Sequence, residues 1–421
     1  MPPRLVTVRR GTKVRKVTGR LIDRRIRAVR VALEAMDLLS RQSESSAAAA
    51  GGCRVDPASD AAGPPSEPTG VELFTERDEL YAAMLASIRG ARHAVRLESY
   101  IFASDEIGWQ FAEALAERAA AGIDVRLHLD AAGAWRSLSL ALQRHLRERG
   151  VRVRWFHRWS WRRPLRYNRR NHRKLLVVDE RIAYVGGFNI HREISLRLHG
   201  PSRWQDTHAE LSGPLVSDAA KLFDAFWRGH RRWMPVQHGG RATGLVSNHT
   251  RTCRHQIRCL YSEAFASARE RIYLTTPYFV PDLLTQQRLM KAARRGIDVR
   301  LLVPSKSDVP ITRWAAHAFY SELMSAGVRI YEYLPRMLHA KTIVIDGRRA
   351  TLGTANLDYR SFFLNYELIL VMEATRECAL LEQHFLEDLS ESQQIIANTW
   401  ARRRWAKKLL EGVGWAMRRW L

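Results

Sequence analysis

Two stretches of the chain place a lysine two residues after a histidine. The first runs His172-Arg173-Lys174-Leu175-Leu176-Val177-Val178-Asp179 and is followed by Gly186-Gly187-Phe188-Asn189. The second runs His339-Ala340-Lys341-Thr342-Ile343-Val344-Ile345-Asp346 and is followed by Gly353-Thr354-Ala355-Asn356. His, Lys, Asp and Asn recur at identical internal spacing. One His-x-Lys-x4-Asp match is expected by chance about 0.02 times in a chain of this composition, so two copies with the same downstream Gly and Asn are a duplication. Lysine is scarce, nine residues against fifty-nine arginines, yet both copies carry it. That choice favours a compact point charge over a planar fork. Each Lys leads into a short aliphatic run of strand type, and in a strand residues two apart share a face, so His and Lys point the same way. That pairing suits an oxyanion, since an imidazole can attack or protonate and an ammonium neutralises charge.

At these residues the chain resembles the phospholipase D superfamily. More narrowly, Asn171 to Asp179 with Val185 to Asn189, and Leu338 to Lys341 with Gly353-Thr354-Ala355-Asn356-Leu357-Asp358, are similar to bacterial cardiolipin synthases, over roughly residues 71 to 390. The resemblance implies that His172 is a nucleophile forming a phosphohistidine and that His339 protonates the leaving glycerol, then activates the incoming hydroxyl. The near symmetry of the two copies leaves the reverse assignment open. It further implies that Lys174, Lys341, Asn189 and Asn356 hold the phosphoryl oxygens, with Thr354 a further hydroxyl donor where the first copy has Gly187. In the family a carboxylate after the Asn orients the imidazole, and the matching positions are Asp206 and Glu367. Asp179 and Asp346 complete the catalytic motif, although at the ends of their strands they are better placed to bind backbone than substrate. The implied reaction moves a phosphatidyl group from one phosphatidylglycerol to another. It needs no cofactor or metal, and no Gly-rich nucleotide loop is present. A phospholipase D using water, a phosphatidylserine synthase, a nuclease and a non-catalytic binding module are the alternatives. The last is disfavoured because neither motif lacks a residue.

From about Val71 short strands and helices alternate, and the second half repeats the first. Ala91 to Leu97 matches Ala268 to Leu274, Gly122 to Leu127 matches Gly296 to Leu301, and Gly150 to Val153 matches Gly327 to Ile330. The expected fold is α/β, two homologous halves built on mixed, mostly parallel sheets with helices on the faces and the active site between the halves. The halves span 71–240 and 241–395. Residues 1–41 read as a basic amphipathic helix, with Ile22, Ile26, Val29, Leu33 and Met36 on one stripe, and 42–70 as a flexible linker. Between Phe156 and His172 the first half inserts basic residues interleaved with Trp159, Trp161 and Tyr167, suited to lipid headgroups or to stacked bases. Residues 396–421 form a second basic amphipathic segment, with Trp405, Leu409, Val413 and Trp420 near one face. Two readings of it are an interfacial anchor and a helix that packs on the protein.

At 421 residues and a formal net charge of +25, the chain can bury a substantial core and calls for a polyanionic partner. The resemblance makes that partner an anionic phospholipid and a membrane surface rather than nucleic acid; oligomeric state is left open. Cys53, Cys253, Cys259 and Cys378 are too sparse for a disulfide framework, and His255 between two of them lacks further ligands for zinc. No apolar run approaches the roughly 20 residues that span a bilayer. Many cardiolipin synthases carry N-terminal spans, and this chain departs from that pattern. The expected location is peripheral, on the cytoplasmic side of the cell membrane.

Overall fold

A computed structural model describes residues 70–75, 77–159, 161–162, 167–229, 242–249, 254–403 and 405–418. The expected N-terminal helix at 1–41, the linker up to residue 69, Cys53, Cys253 and Trp420 lie outside the described residues. Gly70, placed in the linker from sequence, already belongs to the first strand.

The first half contributes β1 (Gly70–Phe74), β2 (Ala94–Ser99), β3 (Asp124–Asp130), β4 (Arg152–Phe156), β5 (Leu175–Val178), β6 (Ile182–Gly186) and β7 (His208–Ser212), in the spatial order β1-β7-β6-β5-β2-β3-β4. The second half contributes β8 (Thr243–Ser247), β9 (Arg271–Thr275), β10 (Phe279–Val280), β11 (Asp298–Pro304), β12 (Arg329–Tyr333), β13 (Thr342–Ile345), β14 (Arg349–Gly353), β15 (Leu357–Asp358), β16 (Leu368–Glu373) and β17 (Ser392–Gln394). Its large sheet has the order β17-β12-β11-β9-β13-β14-β16-β8, which repeats the first sheet strand for strand with β17 added at one edge. The short β10 pairs with β15 apart from it.

The sheets are mixed, but parallel pairing is confined to β2-β3-β4 and β9-β11-β12, where helices form the crossovers. The expectation of mostly parallel sheets is corrected here. Only the residues Asp179–Arg181 separate β5 from β6, a connection long enough for a hairpin and too short for a parallel crossover, and β13 to β14 repeats the arrangement. Helices begin where the parallel strands end. Asp105, Ser139 and Asp282 cap the helices Glu106–Ala120, Leu140–Glu148 and Leu283–Arg294 by accepting from the amides of Gly108, Leu142 and Thr285. Pro310 opens the helix Pro310–Ser325 at its first position.

Alternation along the central strands explains the packing. Leu176 and Val178 join a core under the first-half helices, while Leu175 and Val177 face the other way into a core shared with Leu338, Val344, Leu352 and Leu370 of the second half. Ile343 and Ile345 close a third core under the second-half helices. The inner faces of the two sheets therefore share one core with the helices Pro214–Arg228 and Arg376–Ser390, and further helices cover the outer faces. Each fully buried aliphatic side chain contributes about 1.5–3 kcal/mol.

The C-terminal segment packs on the protein, the second of the two readings given above. Its helix Trp405–Ala416 crosses the helix Pro310–Ser325 so closely that a Cβ at Gly414 would meet Ala315 N at 2.4 Å. Trp415 is buried, Trp400 packs on His317 and Tyr320, and Arg403 pairs with Glu411. On its other side Leu409, Leu410, Val413 and Met417 are exposed. Among the described residues no helix is long and apolar enough to cross a membrane.

Candidate active site

Since β5 and β13 run antiparallel to β2 and β9, their first residues lie at the carboxyl ends of the parallel strands. His172 and Lys174, His339 and Lys341 are thus delivered to one edge of each sheet, and all four are buried. Two short bridges join the halves there. Asn171 pairs with Tyr366, so that the His172 amide donates to Tyr366 O at 2.9 Å, and Leu338 pairs with Gln205, so that the His339 amide donates to Gln205 O at 2.5 Å.

These bridges set the next residues of the partner strands, Glu367 and Asp206, against the histidines. His172 Nδ1 lies 3.0 Å from Glu367 Oε2 and 3.0 Å from the Thr354 carbonyl oxygen. His339 Nδ1 lies 2.5 Å from Asp206 Oδ2. Each histidine is therefore held by a carboxylate of the opposite half, which fixes the Nδ1–H tautomer and leaves Nε2 for chemistry. Burial alone would raise both carboxyl pKa values. For Asp206, Lys341 and His339 hold it below the usual range; for Glu367, His172 and the hydrogen bond from Thr354 do so. Desolvation pushes both imidazoles down, opposed by the paired carboxylate and reinforced by the lysines.

The lysines share the site. Lys174 Nζ donates to His172 O at 2.9 Å, and Lys341 Nζ lies 3.0 Å from His339 Nε2. Burial lowers Lys174 to about 7, with Lys341 adding to the effect, and burial lowers Lys341 to about 8. Two buried lysines set beside each other, each only partly offset by Asp206 and Glu367, suit a further anion.

Asn189 and Asn356 are buried beside this cluster. Asn189 Oδ1 accepts from the Ile101 amide, and Asn356 Nδ2 donates to Asp358 Oδ2 at 3.1 Å. Thr354 departs from the sequence reading: its hydroxyl donates to Glu367 Oε2 at 2.6 Å and accepts from the Leu368 amide, so it holds the orienting carboxylate instead of facing a phosphate. The matching Gly187 is explained by the same geometry, because a Cβ there would lie 2.0 Å from Asp206 Oδ1. Asp179 and Asp346 leave the catalytic set. Each sits a full strand away from its histidine in a left-handed conformation and accepts three backbone amides, from Arg92, His93 and Ala94 or from Arg269, Glu270 and Arg271. They tie β5 and β13 to the turns before β2 and β9.

Other residues at the site were not singled out from sequence. Tyr100 sets its ring edge-on to His172 with centroids 5.0 Å apart, and burial together with Asp130 raises its hydroxyl to about 12. Trp204 leans on His339 at 5.3 Å. Asp358 is buried and raised by that burial to about 6. Beneath His172 the guanidinium of Arg173 is fully buried against Glu98, Nε to Oε2 2.8 Å, while Asp130 accepts the Asn171 amide at 2.7 Å. The available signal was an acidic residue, Glu98, in β2, where Arg96 is the other charge. Among the described residues no group of three or more His, Cys, Asp or Glu side chains is arranged to hold a metal ion.

The family described as "Cardiolipin synthase, PLD-like domain" matches residues 84–227 and 261–389, one match in each half. The cardiolipin synthase of Listeria innocua is 35% identical over 357 residues, covering 82% of this chain and 73% of that protein. That of Geobacillus kaustophilus is 36% identical over 355 residues, covering 81% and 70%. Among solved structures, a phosphatidylserine synthase from Haemophilus influenzae has a TM-score of 0.62 at 13% identity, covering 83% of this chain and 95% of that one. A polyphosphate kinase from Porphyromonas gingivalis has a TM-score of 0.53 at 13% identity, covering 79% of this chain and 49% of that one. At such identity these two show the fold alone. Duplicated sheets, one buried motif from each half and a relationship that runs through both halves lead to one assignment: the chain belongs to the cardiolipin synthase family of the phospholipase D superfamily and is a phosphatidyltransferase.

Proposed function

We propose that the chain transfers a phosphatidyl group between two phosphatidylglycerol molecules, with His172 as nucleophile and His339 as acid and base. His172 Nε2 attacks phosphorus and the bond to the headgroup glycerol breaks; His339 gives that alkoxide its proton. A hydroxyl of a second phosphatidylglycerol then returns a proton to His339 and attacks the phosphohistidine, freeing His172 and forming cardiolipin. One phosphodiester replaces another, so no nucleotide is consumed. Lys174, Lys341, Asn189 and Asn356 would hold the non-bridging oxygens. A bound phosphodiester anion would also offset the lysine charge that depresses His339, raising it toward the range where it can carry a proton. The observation that carries the reading is the pair of crossed contacts, His172 to Glu367 and His339 to Asp206, which leaves one Nε2 to attack and one to carry a proton.

The net charge of +25 supports a peripheral location on the cytoplasmic side of the cell membrane, where anionic headgroups attract it. Incubation of the purified protein with phosphatidylglycerol vesicles tests the reaction. Cardiolipin and free glycerol in equal amounts, with a labelled lipid trapped on His172 after quenching in mildly alkaline denaturant, where the phosphorus–nitrogen bond survives, is the expected result. Phosphatidic acid as sole product would give the hydrolytic reading instead, and cleavage of an oligonucleotide at matched salt would give the nuclease.

A further inference from the structure

Exposed large apolar side chains are unevenly distributed over the two edges of the sheets. At the edge that carries the histidines, the segments leaving β3 and β4 expose Trp135 (71%), Leu140 (78%), Trp159 (50%) and Trp161 (86%). The corresponding segments after β11 and β12 expose Val309 and Leu334. At the opposite edge, the turns at 90–93, 121–123, 149–151, 268–270, 295–297 and 326–328 expose no large apolar side chain among the described residues. The same loops in both halves therefore break the usual rule for solvated turns on the side where the site opens, whereas the opposite edge exposes Ile396 just past β17.

We propose that this edge docks on an anionic lipid surface, with Trp135, Trp159 and Trp161 in the headgroup layer. Exposed Arg136, Arg158, Arg162 and Lys306 stand among the apolar side chains, a mixture that matches anionic headgroups over an acyl boundary and does not match another protein's dry core. The loop is also tied to the chemistry. Trp159 meets Trp161 and Tyr167 edge-on at 5.5 and 5.4 Å, and Arg170 lies 4.1 Å over the Tyr167 ring and contacts Asp130, whose carboxylate holds the amide before His172. Arg360 of the second half binds Asn168 of the same loop. Docking by this edge presents the site mouth to the substrate layer. The inference rests on the lipid reading given above, and it assigns the primary contact to the site edge rather than to the exposed stripe Leu409, Leu410, Val413 and Met417 of the C-terminal helix.

Partition onto vesicles of about half phosphatidylglycerol, at high salt, is the measurement. The full chain is compared with the triple variant Trp135→Ala, Trp159→Ala, Trp161→Ala, the single variant Trp161→Ala, and the triple variant Leu409→Ser, Val413→Ser, Met417→Ser. The expected result is a loss of about tenfold or more for the site-edge triple, about threefold for Trp161→Ala and less than that for the C-terminal triple. Turnover in detergent should be unchanged for the C-terminal triple. Wild-type partition by the site-edge triple, or a larger loss in the C-terminal triple, overturns the proposal. So does a wild-type dimer that the site-edge triple converts to a monomer with vesicle binding intact. Should the triple not fold, Trp161→Ala alone decides, since that ring is almost wholly in solvent. Partition is read without turnover, so vesicle binding without cardiolipin formation would overturn the proposed reaction while leaving this surface standing.

Discussion

The two halves repeat each other strand for strand, but the support behind their histidines differs. Behind His172 lies a buried polar network: Arg173 on Glu98, Glu98 on His128 at 3.1 Å, Asp130 on the Asn171 amide. In register, the second half has Ala340, Thr275, Leu302, Pro304 and Leu338. One histidine rests on directional, charge-assisted bonds and the other on apolar packing. The reacting groups have stayed equivalent while their supports diverged, so catalysis constrains the imidazole, lysine and carboxylate far more tightly than the residues beneath them.

If the reacting groups are equivalent, His172→Ala and His339→Ala should each lower turnover by a factor on the order of 10³ or more. Steady-state rates on phosphatidylglycerol check this, and near-wild-type activity in either variant would break the symmetry. Stability should be unequal. Arg173→Met leaves Glu98 buried without its guanidinium and should cost about 3–5 kcal/mol in urea unfolding, and adding Glu98→Leu should recover much of that loss. A double variant no more stable than the single one would show that the network is not an ion pair in energetic terms. The crossed carboxylates come next: Glu367→Gln and Asp206→Asn should each slow turnover on the order of 10²-fold, by different steps. Glu367→Gln should slow phosphoenzyme formation with any substrate, whereas in Asp206→Asn that first step should be largely rescued by a nitrophenol leaving group, which needs no proton. Equal rescue of both would undo the division of roles.

The smallest effect concerns pH. With Lys174 at about 7 and Lys341 at about 8, both ammonium groups are present in mild acid and are lost as pH rises through those values. Affinity for inorganic phosphate as a competitive inhibitor should therefore fall several-fold from pH 7 to 9. In Lys341→Met the alkaline fall should move to higher pH, because Lys341 is one cause of the depression at Lys174.

The motif and the duplication were legible in the sequence, because both depend on local spacing, while Asp206 and Glu367 came from the resemblance to the family. Which carboxylate serves which histidine was not. That pairing is set by the bridges Asn171 to Tyr366 and Gln205 to Leu338, between residues more than a hundred positions apart. Thr354 carried a hydroxyl that chemistry could use, and only its 2.6 Å bond to Glu367 shows that the hydroxyl is already engaged. Pairing direction in the sheets was misread for a similar reason: a buried aliphatic run looks the same in a parallel and an antiparallel ladder. The C-terminal helix shows a stripe in sequence at Leu409 and Val413, but the contact that fastens it uses Gly414 and Trp415, off that stripe.

The exchange of carboxylates between halves makes activity a logical conjunction. Neither half holds its own imidazole with a carboxylate, so a chain arrested after the first half, nicked in the middle or half-folded holds no oriented imidazole. An enzyme that cuts the phosphodiesters of its own cell's lipids gains a safeguard from this arrangement: competence arrives only with the last docking step, when both sheets have met.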